Sequence, residues 1–257
     1  MKKTFMLLMA MVMVVMMAAG CGGGEKKKAE APKVLRVGTE PTFAPFEFQK
    51  DGSKEFDGFD MDLIRAIGKQ LNMKVEILNM GFDALIPALN AGNIDVAAAG
   101  MSITPDRQKA VDMSDPYYVA GLVVVVNKDN TAVKGINELN NKAIAVQIGT
   151  TGAERAAKVP GAKVKNFNTN AEVFLELKNK GVEAVIIDKP VAEYFLATGG
   201  GKDYAKIVGD TMEAESYGLS LKKNSPLTKD INKALLDLKK NGEYDKIYAK
   251  WFGAVKK

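Results

Sequence analysis

The sequence predicts an α/β protein made of two lobes, each a doubly wound sheet of mostly parallel strands. Short apolar runs typical of buried strands alternate with segments whose apolar residues recur at the helical period. This alternation occurs twice, before and after five consecutive apolar residues at 122–126 that are typical of a central strand. Two successive α/β blocks in one chain indicate two lobes.

The first block begins with a predicted strand and continues with alternating helices and strands. Met61, Ile64 and Ile67 share the helical period and indicate a helix. Thr104 and Pro105 are typical of an N-cap and the first position of another helix. The predicted elements are strands at 34–37, 74–78 and 94–98 and helices at 60–71, 83–89 and from 105 onward.

The second block repeats the pattern after the central strand. Its predicted strands lie at 143–146, 164–167, 184–187 and 207–208, and its predicted helices lie at 151–157, 171–178 and 191–197. A strand at 217–221 and helices between 227 and 252, broken near Asn241 and Gly242, complete the chain.

The N-terminus reads as an export signal followed by a tether. Lys2 and Lys3 precede about 15 apolar residues, a stretch too short to cross a membrane comfortably but suited to a signal peptide. It ends in Ala-Ala-Gly-Cys at 18–21, which resembles a bacterial lipobox, although leucine is more usual at position 18. We predict a signal peptide at 1–20, lipidation of Cys21 and a flexible polar tether at 21–32. An ordinary signal peptide or an uncleaved anchor is the alternative.

Composition excludes several function classes. The sequence has no histidine and one cysteine, so an intrachain disulfide and a thiolate metal cluster are excluded, as is the commonest general base. The first 32 residues hold five lysines and two glutamates, and hence three of the five net positive charges. The remaining body is close to neutral, which does not favour nucleic-acid binding. We therefore expect no metal, no cofactor and no catalytic residue.

Polar residues follow four of the predicted strands. In doubly wound sheets, ligands bind beyond the carboxyl ends of the strands. There the chain carries Glu40, then Ser102 and Arg107, then a helix start at 147–152, and finally Asp188. Such a set complements an α-carboxylate beside an α-ammonium. Arg107 could bind the carboxylate as a planar fork, and Asp188 could take the ammonium.

Several motifs carry a resemblance to a known family. They are Gly-Phe-Asp-Met-Asp-Leu at 58–63, Phe-Asp-Ala-Leu-Ile-Pro-Ala-Leu at 82–89, Gly-Met-Ser-Ile-Thr-Pro-Asp-Arg at 100–107, Ser-Asp-Pro-Tyr-Tyr at 114–118, Ala-Val-Gln-Ile-Gly-Thr-Thr-Gly at 145–152 and Lys-Trp-Phe-Gly at 250–253. In this order and spacing they resemble family 3 of the bacterial extracellular solute-binding proteins, which bind polar amino acids. The resemblance covers residues 33–253.

The resemblance implies a periplasmic-binding-protein type II clamshell with two crossover strands, near 117–121 and 215–218. Lobe 1 would comprise 33–119 and 217–257, and lobe 2 would comprise 120–216. It also implies the residues that touch each part of the ligand. These are Arg107, Ser102, Thr150 and Thr151 for the carboxylate, Gly100, Ser102 and Asp188 for the ammonium, Phe43 and Phe82 for the side chain, and Glu40 and Gln147 for its polar end.

Glu40 is the residue that bears most on which amino acid binds. A carboxylate in a closed cleft is costly unless it is paired, so a basic side chain such as that of arginine is favoured. Two phenylalanines beside a guanidinium also suit cation–π stacking. Glutamine stays open as the second choice, because its amide could donate to Glu40 and use Gln147 as another partner.

By the same resemblance the chain is the binding lipoprotein of an ABC importer. It would be a monomer, held by its lipid on the outer face of the cytoplasmic membrane or on the periplasmic side in a two-membrane organism. Ligand would close the clamshell, and the closed form would dock on the permease. Two alternatives are an enzyme like cyclohexadienyl dehydratase, with Glu40 as its acid, and an amino-acid sensor or surface adhesin on the same fold.

Overall fold

The computed structural model describes residues 33–50, 52–198 and 200–253. The predicted signal peptide, Cys21 and tether lie outside the described residues. The strands are β1 (Lys33–Thr39), β2 (Thr42–Phe43), β3 (Glu47–Gln49), β4 (Phe56–Asp57), β5 (Met73–Asn79), β6 (Val96–Ala97), β7 (Val111–Met113), β8 (Tyr118–Asn127), β9 (Ala143–Gln147), β10 (Lys163–Phe167), β11 (Ala184–Asp188), β12 (Ala205–Val208), β13 (Ala214–Tyr217) and β14 (Ser220–Lys222).

Helices alternate with these strands as the sequence predicts. They are α1 (Phe59–Gln70), α2 (Leu85–Ala91), α3 (Pro105–Ala110), α4 (Thr151–Ala157), α5 (Asn170–Lys178), α6 (Lys189–Thr198), α7 (Leu227–Lys240) and α8 (Glu243–Phe252). Short 3-10 turns lie at Phe82–Ala84, Ile136–Leu139 and Gly201–Asp203. Among the described residues, no helix is both long and apolar enough to span a membrane.

The strands form two main sheets, which confirms a two-lobed α/β fold. The first has the order β5-β1-β6-β14-β7, and the second has the order β10-β9-β11-β8-β12. In each sheet four of the five strands run in the same direction, which agrees with the prediction of mostly parallel strands, and one strand is reversed. β8 runs antiparallel to β11 and β12, and β14 runs antiparallel to β6 and β7. Both reversed strands belong to or directly follow the predicted crossovers, since β8 contains most of the first and β14 comes after the second.

A two-stranded ribbon carries the chain between the sheets. The first half of β8 pairs antiparallel with β13, from Tyr118 opposite Tyr217 to Gly121 opposite Ala214. The second half of β8 pairs with β11 in the second sheet. The two segments predicted as crossovers therefore pair with each other, and the predicted boundaries at 119/120 and 216/217 fall within this ribbon. The predicted strand at 217–221 is divided between β13 and β14.

Helix starts follow their capping chemistry. The Thr104 side chain accepts a hydrogen bond from the Arg107 N–H at 3.2 Å, and Pro105 opens α3, as predicted. α1 begins after Gly58, whose φ of 128° suits glycine. A Cβ there would lie 2.1 Å from the carbonyl oxygen of Phe46, so the glycine lets the loop approach the helix start. These residues fix where α1 and α3 begin, and therefore where their side chains lie.

The small sheet β2-β3-β4 brings Phe46 into an aromatic cluster beneath the cleft. The Phe46 side chain is fully buried. Its ring centre lies 4.9 Å from that of Tyr118, 5.1 Å from that of Tyr217 and 5.3 Å from that of Phe252. The cluster therefore packs the loop after β1 against both crossover strands and the last helix.

We expect Phe46→Ala to lower the free energy of unfolding by about 3–5 kcal/mol, because it leaves a cavity among rings on three separate elements. Urea denaturation at neutral pH measures the change. Leu236→Ala is the control, since that side chain on α7 is 48% exposed and should cost well under half as much. Equal losses in the two variants would contradict a packing role for the cluster.

Candidate functional site

A cavity lies at the carboxyl ends of β1, β6, β9 and β11. All ten predicted ligand-binding residues line it, together with Glu47 and Ala99, which the sequence did not indicate. The lining residues are Glu40, Phe43, Glu47, Phe82, Ala99, Gly100, Ser102, Arg107, Gln147, Thr150, Thr151 and Asp188. The structure thus brings together residues from five separate segments of the chain. Their contacts with a ligand stay predictions.

Arg107 is a buried cation without a carboxylate partner among the described residues. Its side chain is in the first full turn of α3, and the residue is 7% exposed. One terminal nitrogen donates to the Ser102 carbonyl at 2.8 Å, and the other donates to the Gly149 carbonyl at 3.0 Å. The guanidinium also lies 5.4 Å from the ring centre of Phe82. Burial lowers the Arg107 pKa, so an anion that paired with it would be strongly favoured.

Asp188 is the last residue of β11 and also lines the cavity. Its Oδ1 accepts a hydrogen bond from the Tyr217 hydroxyl at 2.6 Å, and the residue is 8% exposed. Burial raises the Asp188 pKa to about 7, against the stabilising effect of the Tyr217 bond, and the nearby Glu215 charge adds to the rise. An incoming cation would restore the ionised form of this carboxyl.

Ser102 and Thr151 both donate to a residue that sequence reasoning missed. Their hydroxyls bond the same oxygen, Oε2 of Glu215, at 2.6 and 2.7 Å. Glu215 lies on β13, two residues before Tyr217, so both side chains project from the same side of the strand. The alternation along the predicted second crossover is the signal that would have found them.

Glu40 and Gln147 meet across the other end of the cavity. Oε2 of Glu40 accepts from the Thr42 hydroxyl at 2.7 Å and from the Gln147 amide at 2.8 Å. The same amide nitrogen donates to the Asn168 carbonyl at 3.0 Å, and the Gln147 oxygen accepts from Asn170 at 2.9 Å. Burial raises the Glu40 pKa, while these two donors oppose the rise. The amide of Gln147 is therefore held in one orientation, with both of its hydrogens in use.

A buried carboxyl pair lies behind the Gly100 segment. Oδ2 of Asp60 accepts from the Gly100 N–H at 2.9 Å and from the Tyr117 hydroxyl at 2.6 Å. Burial raises the Asp60 pKa to about 6, and burial together with the Asp60 charge raises the Glu47 pKa well above its usual value. Burial thus raises the pKa of both carboxyl groups, and more so that of Glu47. Gly100 has a φ of 52°, and a Cβ there would lie 2.6 Å from the Phe43 ring.

Thr150 and Phe43 serve the framework as well as the cavity. The Thr150 hydroxyl caps α4, accepting from the Ala153 N–H at 3.1 Å and donating to the Gln147 carbonyl at 2.8 Å. The hydroxyl hydrogen of Thr150 is therefore in use, and its backbone N–H is the donor that is left. The contact of this N–H with a ligand carboxylate stays a prediction. The Phe43 ring stacks on Phe46 with ring centres 5.7 Å apart, so the cavity wall is continuous with the aromatic cluster.

Comparison with known proteins gives matches over almost the whole described chain. The sequence pattern of the family described as "Bacterial extracellular solute-binding proteins, family 3" matches residues 35–254. A probable histidine-binding protein of Neisseria gonorrhoeae is 34% identical over 224 residues, which cover 86% of this chain and 83% of that protein.

Solved structures are similar at the level of both sequence and fold. An ancestral arginine-binding protein bound to arginine is 47% identical with a TM-score of 0.83, covering 87% of this chain and 100% of that chain. An ancestral arginine-binding protein bound to glutamine is 46% identical with a TM-score of 0.80 and the same coverage. The fold similarity therefore extends across both sheets of the present chain.

The empty protein should become less stable as the pH rises from about 4 to about 7. In the folded protein the pKa of Asp188 is raised to about 7, whereas its ordinary pKa is 3.8. The folded state therefore binds more protons than the unfolded chain in this window, and the free energy of unfolding falls with pH. At pH 8 we expect Asp188→Asn to be more stable than the natural protein by roughly 1–4 kcal/mol.

Urea unfolding of ligand-free protein at pH 5 and pH 8 measures this difference. Asp203→Asn is the control, because that aspartate is exposed and should leave the pH dependence unchanged. A natural protein that is more stable at pH 8 than at pH 5, with Asp188→Asn following the same course, would show that Asp188 does not hold the proton.

Proposed function

The chain belongs to family 3 of the bacterial extracellular solute-binding proteins, and from this premise we propose that it binds a free basic L-amino acid, arginine first, and delivers it to the permease of an ABC importer. The observation that carries the proposal is the charge arrangement of the cavity. The buried guanidinium of Arg107, which forms no ion pair among the described residues, and the carboxyl of Asp188 line the cavity together. Glu40 lies at the end where Gln147 is.

The backbone end of an amino acid fits the Arg107 end of the cavity. Two nitrogens of Arg107 are bonded to carbonyl groups, and its remaining N–H groups are available to a carboxylate. The N–H groups of Thr150 and Thr151 are the predicted second contact of that carboxylate. Asp188 and the Gly100 carbonyl are the predicted contacts of the ammonium. Each buried charge would then have a partner of opposite sign.

The side-chain end favours a cation. Oε2 of Glu40 already accepts two hydrogen bonds, which leaves Oε1 for the ligand. Apart from Glu47, whose pKa is raised well above its usual value, the cavity lining holds two carboxyl groups, those of Glu40 and Asp188, against the single cation Arg107. A guanidinium or ammonium would offset this excess. Acidic amino acids would meet like charge.

Glutamine is the weaker candidate because of Gln147. Both amide hydrogens of Gln147 are donated within the protein, and its oxygen accepts from Asn170. Gln147 is therefore a poor second partner for a ligand amide, and we assign it to holding Glu40. The dehydratase alternative needs Glu40 as an acid. The Glu40 pKa is raised because burial outweighs its two hydrogen-bond donors, so an assay of dehydratase turnover is the measurement that separates this alternative from transport.

Closure of the two lobes on the ligand is the mechanism that we propose. Hydrogen bonds already join residues of the first lobe to residues of the second, among them Gln147 to Glu40, Arg107 to Gly149, and the Asn170 N–H to Thr42. A ligand that bridges Arg107 and Asp188 adds contacts available only in the closed form, so binding would shift the population toward closure. A closed monomer would be the form that the permease accepts.

We expect refolded, ligand-free protein to bind arginine at micromolar level or tighter in calorimetry, with lysine, ornithine, histidine and glutamine weaker and glutamate weakest. Arg107→Ala should weaken arginine binding at least about 100-fold, because it leaves the ligand carboxylate unpaired. Arg65→Ala is the control, since Arg65 is exposed on α1. Glu40→Gln should weaken arginine binding about 10- to 100-fold and leave the affinity for glutamine nearly unchanged.

Two outcomes would count against this assignment. Tighter binding of glutamine than of arginine by the natural protein would contradict the role given to Glu40. Failure to bind any of these amino acids would overturn the proposed function and reopen the enzyme and sensor alternatives.

Membrane attachment through Cys21 is a separate proposal. It rests on the sequence at 18–21. We expect Cys21→Ser to abolish incorporation of labelled palmitate and to release the protein from the membrane fraction of expressing cells, with arginine binding retained. Label in the Cys21→Ser variant, or none in the natural protein, would contradict lipidation at this residue.

A further inference from the structure

Glu215 ties together two hydroxyl groups that lie on opposite walls of the cavity. Ser102 follows β6 in the first sheet, and Thr151 opens α4 beside the second. Both donate to Oε2 of Glu215, at 2.6 and 2.7 Å. Glu215 itself belongs to neither wall, because it lies on the ribbon strand β13 opposite Ala120.

The direction of these bonds decides what the hydroxyls can offer a ligand. A hydroxyl has one hydrogen and two lone pairs. When the hydrogen of Ser102 and that of Thr151 are both donated to Glu215, only lone pairs face the cavity. Lone pairs accept from an ammonium group and repel a carboxylate.

We propose that Glu215 is a positioning residue for ligand selection, which fixes the Ser102 and Thr151 hydroxyls as acceptors for the α-ammonium of the ligand. The inference rests on the proposed function and adds to it a residue that touches the ligand only through others. It also divides the cavity, since the ligand carboxylate is left to Arg107 and the backbone N–H groups, while the hydroxyls join Asp188 around the ammonium.

The strand that carries Glu215 is held firmly enough for this role. The Ile103 N–H donates to the Ser216 carbonyl at 2.7 Å, and the Gly218 N–H donates to the Met101 carbonyl at 3.0 Å. These bonds fasten β13 along the loop that contains Ser102. Two residues further on, the Tyr217 hydroxyl orients Asp188 at 2.6 Å. One side of β13 therefore orients three of the groups that would surround the ammonium.

The test compares arginine with 5-guanidinopentanoate, which lacks only the α-amino group, and with agmatine, which lacks only the carboxylate. We expect Glu215→Ala to weaken the binding of arginine and of agmatine about tenfold or more. The affinity for 5-guanidinopentanoate should change less than about threefold. Glu215→Gln should stay within about threefold of the natural protein for all three, because its amide oxygen can accept both hydroxyl hydrogens. Glu213→Ala is the matched control, an exposed glutamate two residues earlier.

A double-mutant cycle uses arginine alone and does not depend on weak analogues. In the Ser102→Ala, Thr151→Val background, Glu215→Ala should change arginine affinity less than about twofold, because no hydroxyl remains to be oriented. Circular dichroism checks that each variant is folded.

Three results would overturn the inference. Equal weakening of all three ligands by Glu215→Ala would mean that Glu215 only ties the lobes together. A Glu215→Gln variant as weak as Glu215→Ala would mean that its charge matters and not the direction of its hydrogen bonds. If Glu215→Ala weakened arginine binding as much in the Ser102→Ala, Thr151→Val background as in the natural protein, Glu215 would not act through these two hydroxyls. Natural protein that bound no amino acid would instead defeat the proposed function itself, and the inference with it.

Discussion

The antiparallel pairing of β8 with β13 is the constraint on which the rest of the molecule depends. It joins two sheets that are otherwise built from separate parts of the chain, and it continues into the second sheet through the pairing of β8 with β11. The ribbon also contributes Tyr118 and Tyr217 to the aromatic cluster around Phe46. Because the same strands connect the lobes, pack the core and carry Glu215 and Tyr217, the relative position of the sheets and the chemistry of the cavity are set together.

Burial of charged groups in the cavity lowers the stability of the ligand-free protein. Arg107 has no carboxylate partner among the described residues, and burial raises the pKa of both Asp188 and Glu40. Binding sites are commonly regions where stability is given up in this way. The free energy is recovered when a ligand supplies the missing charges, so the features that destabilise the empty cleft are the same ones that make closure depend on the ligand.

Hydrogen bonds within the protein determine which donors and acceptors of each polar group remain available to a ligand. Gln147 has both amide hydrogens in use, Thr150 uses its hydroxyl as a helix cap, and Asp60 fixes the N–H of Gly100. These side chains are oriented before any ligand arrives, which reduces the entropy lost on binding. A residue that lines the cavity is therefore not always a residue that binds. Its role follows from the donors and acceptors left over.

The sequence by itself determined the α/β class and the order of most helices and strands, since these follow from periodicity and from capping residues such as Thr104. Polar residues placed after strands indicated Glu40, Ser102, Arg107 and Asp188, and the family resemblance implied the rest of the ten cavity residues. Only the tertiary structure decided the antiparallel direction of β8 and β14, the partnership of Glu215 with Ser102 and Thr151, and the carboxyl pair of Glu47 and Asp60. Each of these depends on residues far apart in the chain, 113 positions in the case of Ser102 and Glu215. Local patterns record which face of a strand is buried, whereas the partner of a buried polar group is decided by which distant strand packs beside it.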